Sequence, residues 1–175
     1  MSTKPFTVLI TGPESSGKST LARGLAAAFC GVYVAEYARE YLEARGGVYE
    51  QTDLDNILEG QLAAQRKAVE SGVSPVFCDT GPGVLYVWSK DKYGSVSPTI
   101  EQAFRAAAYD ATLLCYPDLE WEPDPLREHA ATEDRERLFG IYKELTCGYP
   151  NRFIIRGHDR LALAQSHLNK LPTNG

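Results

Sequence analysis

The segment Gly12-Pro-Glu14-Ser15-Ser16-Gly17-Lys18-Ser19 constrains this chain more than any other, because it lies between the apolar run Phe6–Ile10 and the helix-forming run Thr20–Ala28. A G-x-x-x-x-G-K-S spacing between strand and helix is that of a phosphate-binding P-loop. Glycines let the backbone curl until successive N–H groups face one anion, and the positive end of the following helix adds its dipole. In that geometry Gly12, Glu14, Ser15, Ser16, Gly17, Lys18, Ser19 and Thr20 form the expected nucleotide-binding set. Lys18 reaches the β- and γ-phosphates, Thr20 supports the α-phosphate, and the Ser19 hydroxyl ligates Mg²⁺. The motif leaves the phosphoryl acceptor open.

The chain has 175 residues, 43% hydrophobic and 23% charged, which predicts one domain over 1–175 with a substantial core. Its opening residues Met-Ser-Thr-Lys-Pro run into the first strand without a secretory leader, and no apolar run approaches roughly 18 residues. A cytoplasmic protein without a membrane partner is expected. The net charge of −5 disfavours sequence-independent nucleic-acid binding, so the expected partner is a small molecule; nothing in the chain specifies an oligomeric state. Cys30, Cys78, Cys115 and Cys147 form no CxxC pair and read as buried or free thiols. His129, His158 and His167 show no metal-ligand spacing.

Strands and helices alternate along the chain. Strands are predicted at Phe6–Ile10, Val32–Ala35, Pro75–Asp79, Ala111–Tyr116 and Arg152–Ile155. Helices are predicted from Lys18, over Tyr37–Ala44 and Asp53–Glu70, from Gly83 to about Lys90, and over Thr99–Ala108 and Glu133–Thr146. Asp159 is expected to cap a closing helix that turns Leu161, Ala164 and Leu168 inward, and Leu54, Ile57, Leu58, Leu62 and Val69 to form the apolar stripe of the long middle helix. Five short apolar strands separated by helices predict an α/β fold. It is a three-layer αβα sandwich of the P-loop type, with a five-stranded parallel sheet and a lid.

Ligands of such sheets sit at the carboxyl ends of the strands. Asp79 ends Val76-Phe-Cys-Asp79, the Walker-B pattern that holds a Mg²⁺ shell; its structural alternative is a helix N-cap. Glu36 follows the second strand, where a small-molecule kinase needs a carboxylate to orient or deprotonate a hydroxyl, and Arg39 is expected on its helix face. The alternative is an N-terminal helix acid paired with an arginine. Asp118-Leu-Glu120-Trp121-Glu122-Pro-Asp124-Pro-Leu126-Arg127 reads as a lid that carries Arg127 to the phosphates, a task open also to Arg135 and Arg137.

Four segments together resemble the ribosylnicotinamide kinase domain of bacterial NadR-type proteins and their stand-alone P-loop relatives: Glu14-Ser-Ser-Gly-Lys-Ser19, Glu36-Tyr37-x-Arg39-Glu40, Phe77-x-Asp79-Thr80, and Glu120-Trp121-x-x-Asp124-x-Leu126-Arg127. Gln61 falls where that family tends to carry a glutamine. The resemblance covers most of the chain. It implies ATP- and Mg²⁺-dependent phosphorylation of the 5′-hydroxyl of nicotinamide riboside, giving nicotinamide mononucleotide. It also implies catalytic roles for Lys18, Glu36, Asp79 and Arg127, acceptor contacts for Glu36, Tyr37, Arg39 and Asp79, and metal contacts for Ser19 and Asp79. Two positions depart from the family pattern, which has an aromatic residue where Ala35 stands and a second acid where Gly81 stands. The rival reading is a P-loop ATPase or ATP-binding regulatory protein of the same family. A GTPase is disfavoured, because the chain's one Asn-Lys pair, at 169 and 170, is followed by Leu-Pro.

Overall fold

The structure, a computed structural model, describes residues 4–172. Strand β1 (Thr7–Thr11) lies at the centre of a parallel sheet, and every one of its residues is buried. Around it the order is β2-β3-β1-β4-β5, with β2 at Val32–Val34, β3 at Val76–Asp79, β4 at Ala111–Cys115 and β5 at Arg152–Ile155. Burial on both faces explains why β1, β3 and β4 read in the sequence as unbroken apolar runs.

The strands alternate their side chains between two helical layers. On one face, Val8, Ile10 and Leu113 pack against α1 (Lys18–Ala28) and α7 (Arg160–Leu168). On the other, Leu114 meets Val87 of α4 (Pro82–Tyr93) and Leu138, Phe139 and Tyr142 of α6 (Thr132–Leu145). Helix α3 (Asp53–Glu70) covers the β2–β3 side through Ala68. A satellite core joins α2 (Tyr37–Ala44), α3, α4 and α5 (Pro98–Ala106) through Leu42, Leu54, Ile57, Leu58, Leu85 and Ile100. Each fully buried Leu or Ile is worth about 1.5–3 kcal/mol of transfer free energy, so these faces dominate the fold's stability.

Most element boundaries fall within a residue or two of the sequence reading. The fourth helix is longer than expected: Pro82 serves as its first residue, and it runs on to Tyr93, where Gly94 ends it in a left-handed turn. Three expectations are corrected. Leu161 is exposed, and the position facing inward beside Ala164 and Leu168 is Arg160. Val69 is only half-buried, and Gln61 takes its place in the buried stripe. Asp159 occupies the N-cap of α7, yet its side chain makes no capping bond. Among the described residues, no helix is long and apolar enough to cross a membrane.

Candidate active site

The P-loop leaves the end of β1 and enters α1 through two left-handed residues, Ser15 (φ 52°) and Gly17 (φ 78°). Gly12 is needed for its own φ of 139° and for space, since a Cβ there would stand 2.5 Å from the Cys115 carbonyl oxygen at the end of β4. The buried Ser16 hydroxyl donates to the Pro13 carbonyl at 2.7 Å, which braces the loop from within. Lys18 Nζ donates to the same carbonyl, also at 2.7 Å. Gly12 through Thr20 all line a cleft of about 740 Å³, the size of a small-molecule site.

Glu36 holds the N-cap position of α2 in extended backbone conformation and lines the same cleft. Gln61 fixes that segment from both sides: its Oε1 accepts from the Tyr37 N–H at 2.7 Å and its Nε2 donates to the Ala35 carbonyl at 3.3 Å. Desolvation holds the Glu36 carboxyl above the ordinary glutamate range; Lys18 opposes the shift and Asp79 adds to it. Arg39 lines the cleft, but it does not pair with Glu36 across a helix face, because Glu36 lies outside the helix. Its guanidinium bonds Asp124 Oδ2 at 2.8 Å and reaches Glu43 at 3.5 Å. Tyr37 is directed elsewhere: its ring rests on α3, where a Cβ at Gly60 would meet it at 2.1 Å. Of the expected acceptor contacts, Tyr37 is thus not among the residues that line the cleft.

Asp79 ends β3 fully buried. The Tyr33 hydroxyl donates to its Oδ2 at 3.1 Å, while Oδ1 has no hydrogen-bond partner. Burial, and then Asp79, push the Tyr33 phenol up to about 12, so it is protonated and acts as the donor. A dry, unpaired carboxylate oxygen is costly. A hard oxygen donor left unpaired in this way fits Mg²⁺, which takes few protein ligands and keeps several waters; Ser19, the other expected donor, lines the cleft, whereas Asp79 is not among its lining residues.

Residues 116–131 form the lid and lie across the cleft. Glu14 accepts from the backbone N–H groups of Glu128 and His129, each at 3.0 Å. The Ser15 hydroxyl donates to the Glu120 carbonyl at 3.3 Å and accepts from the Glu122 N–H at 3.2 Å. Arg127 donates to the Glu122 carbonyl at 2.5 Å, comes within 3.4 Å of Ser15 Oγ, and lies over the Trp121 ring. Arg135 lies over the same ring, buried and bonded to the Leu119 carbonyl. Arg137 instead pairs with Asp91 at 2.7 Å. On the far side, Glu128 pairs with Lys92 at 2.5 Å and accepts from Tyr49 at 2.7 Å. Burial alone would raise the Glu128 carboxyl, but these two donors hold it below the usual range.

Residues 7–160 match the family model described as the AAA domain. The chain belongs to that family. The chain is 30% identical over 149 residues to the trifunctional NAD biosynthesis/regulator protein NadR of Escherichia coli (strain K12). That alignment covers 81% of this AAA-domain chain and 36% of the relative, so the chain spans about a third of that protein's length. A crystal structure of NadR protein in complex with NR superposes with a TM-score of 0.80 at 23% identity, covering 97% of this chain and 52% of the other. A second NadR structure, in complex with NAD and AMP-PNP, superposes at 0.73 with 25% identity, covering 95% and 49%. The AAA-domain chain thus has a NadR-like P-loop kinase-type fold.

Two features, one beside the cleft's floor and one in its wall, escaped the sequence reading. Tyr33 lies inside a strand, where alternation predicts burial but not a bond to the end of the neighbouring strand. Arg160 lines the cleft with Nη1 on the Ile155 carbonyl and Nη2 on the Tyr116 carbonyl and Asp118. Its position just beyond β5, at a carboxyl end of the sheet, was the available signal.

Proposed function

We propose that this protein is an ATP-dependent kinase that phosphorylates the 5′-hydroxyl of nicotinamide riboside, giving nicotinamide mononucleotide. The observation that carries the reading is that one continuous cleft is lined by both the P-loop and Glu36 under a single lid. A phosphoryl donor and a hydroxyl acceptor can meet there out of water. The similarity to NadR, whose structures hold NR and AMP-PNP, supports that pair of ligands over other nucleosides.

In this reading the N–H groups of the P-loop and of the first turn of α1 receive the ATP phosphates. The Lys18 ammonium, held at the Pro13 carbonyl, turns to the β- and γ-phosphate oxygens and offsets charge as the phosphoryl group transfers. Arg127, from the lid, adds a second cation. Ser19 and Asp79 would hold Mg²⁺, which would supply charge neutralisation at the phosphates. Glu36, clamped by Gln61, aligns the acceptor hydroxyl and takes its proton; its raised pKa matches that task better than an ordinary glutamate would.

A coupled ADP-release assay over nicotinamide riboside, other nucleosides and water tests this. ADP release dependent on nicotinamide riboside, with the mononucleotide as product, is the expected result. Hydrolysis that no nucleoside accelerates would replace the kinase with an ATPase of the same fold.

A further inference from the structure

The fold provides for one oxygen of Asp79 and leaves the other. Oδ2 accepts from the Tyr33 hydroxyl at 3.1 Å; Oδ1 is buried and unbonded. Tyr33 is placed for this by register. On the edge strand β2 it stands opposite Phe77 of β3, two residues before Asp79, so its long side chain runs along the sheet to the strand's end. The ring packs against the core face that includes Phe77, and the Arg23 guanidinium lies over it, 5.4 Å from the centroid. Packing and cation together leave the hydroxyl little freedom.

We propose that Tyr33 is a positioning residue: by holding Oδ2 it fixes the Asp79 carboxylate so that Oδ1 is the oxygen offered to the divalent cation or to a water bound to it. The inference rests on the reading of Asp79 as part of the metal shell. Such outer partners orient a ligand and set its basicity, and removing them typically weakens metal binding about 10- to 100-fold. A tyrosine that only satisfied a buried acid would contribute to folding and leave metal affinity alone.

The test is Mn²⁺ binding, followed by electron paramagnetic resonance in the presence of AMP-PNP. Wild type is expected to show a nucleotide-dependent Mn²⁺ site, and Tyr33→Phe to weaken it about tenfold while AMP-PNP binding in EDTA stays unchanged. In an Asp79→Asn background, Tyr33→Phe should cause no further loss, the non-additivity expected of two groups acting as one. Equal Mn²⁺ affinity in wild type and Tyr33→Phe, with Asp79→Asn impaired, would overturn the positioning role and leave the metal shell standing. No nucleotide-dependent Mn²⁺ site in wild type would overturn both. If Tyr33→Phe melts early, 3-fluorotyrosine in place of Tyr33 keeps ring and hydroxyl. Its fluorine resonance should move when Mg²⁺ joins the AMP-PNP complex, and a resonance that stays in place sinks the proposal.

Discussion

Arg39 Nη2 stands 2.8 Å from Asp124 Oδ2, joining the first turn of α2 to the middle of the lid. The arginine side chain is 45% exposed, so the pair is worth at most about 1 kcal/mol. A tie of that strength holds a lid without locking it. Arg39→Ala is expected to lower turnover several-fold while shifting Tm by no more than about 2–4 °C. A drop of ten degrees with normal turnover in the cold would make Arg39 a structural strut instead.

The same pair gives the lid a dependence on pH. The Asp124 carboxyl lies below the ordinary range, chiefly because it accepts the Leu126 N–H and then because of Arg39. A lowered folded pKa means that its stabilisation is complete above the usual carboxylate range and is lost as pH falls through the folded value. Protease nicking of residues 120–130 should therefore speed up only under acidic conditions. Asp124→Asn should weaken that acid dependence once the protease's own profile is divided out, leaving the part owed to Glu128 and its bonds to Lys92 and Tyr49.

Lys18→Ala is expected to cost at least ~10²-fold in kcat/KM for ATP, since it removes a charge aimed at the transferring group. Arg127→Ala should lower kcat more than it raises KM for ATP, because that cation arrives with the lid. If Arg127→Ala is fully active, Arg135, buried against the same tryptophan, is the next residue to test.

For Glu36 the sign runs the other way. Its folded pKa is raised, so the base is ionised, and kcat/KM for the acceptor should rise, only above the ordinary glutamate range. Glu36→Gln should remove that limb, lower acceptor phosphorylation by ~10²-fold or more, and keep ATP binding. The ionised, desolvated carboxylate also costs stability at neutral pH, a cost that fades as pH falls and the group protonates. Glu36→Gln should thus melt higher than wild type at pH 8. A limb that survives the substitution would move the base to Asp79.

Gly81 explains one departure from the family pattern. A Cβ there would stand 2.4 Å from the Tyr109 hydroxyl, which is buried and within 3.4 Å of Gln65. The φ of −163° is ordinary extended backbone, so the obstacle is space. Gly81→Ala should cost about 1–3 kcal/mol in a urea melt, and Tyr109→Phe should recover part of it. No recovery would place the strain elsewhere.

The sheet and the P-loop were legible in the sequence because each is written in contiguous residues: buried parallel strands as apolar runs, and the loop as a fixed spacing. Glu36, Arg39 and Arg127 were legible as cleft residues. What Arg39 and Glu14 bond was not, for a physical reason. Glu14 meets backbone N–H groups of Glu128 and His129 more than a hundred residues away, and an N–H group carries no signature of residue type. Leu161 went wrong for a related reason: its periodicity was right for a helix, but its side chain rests over Gly24 of α1 and stays exposed.

The close approach of Gly12 to Cys115 joins the phosphate loop to the root of the lid. The carbonyl of Cys115 ends β4 just where the lid begins, and it leaves no room for a Cβ on the first residue of the phosphate loop. A larger residue at position 12 would therefore displace the hinge of one part and the floor of the other in a single step. Selection can tune the lid's length, charge and tip freely, but its root and the loop can change only together.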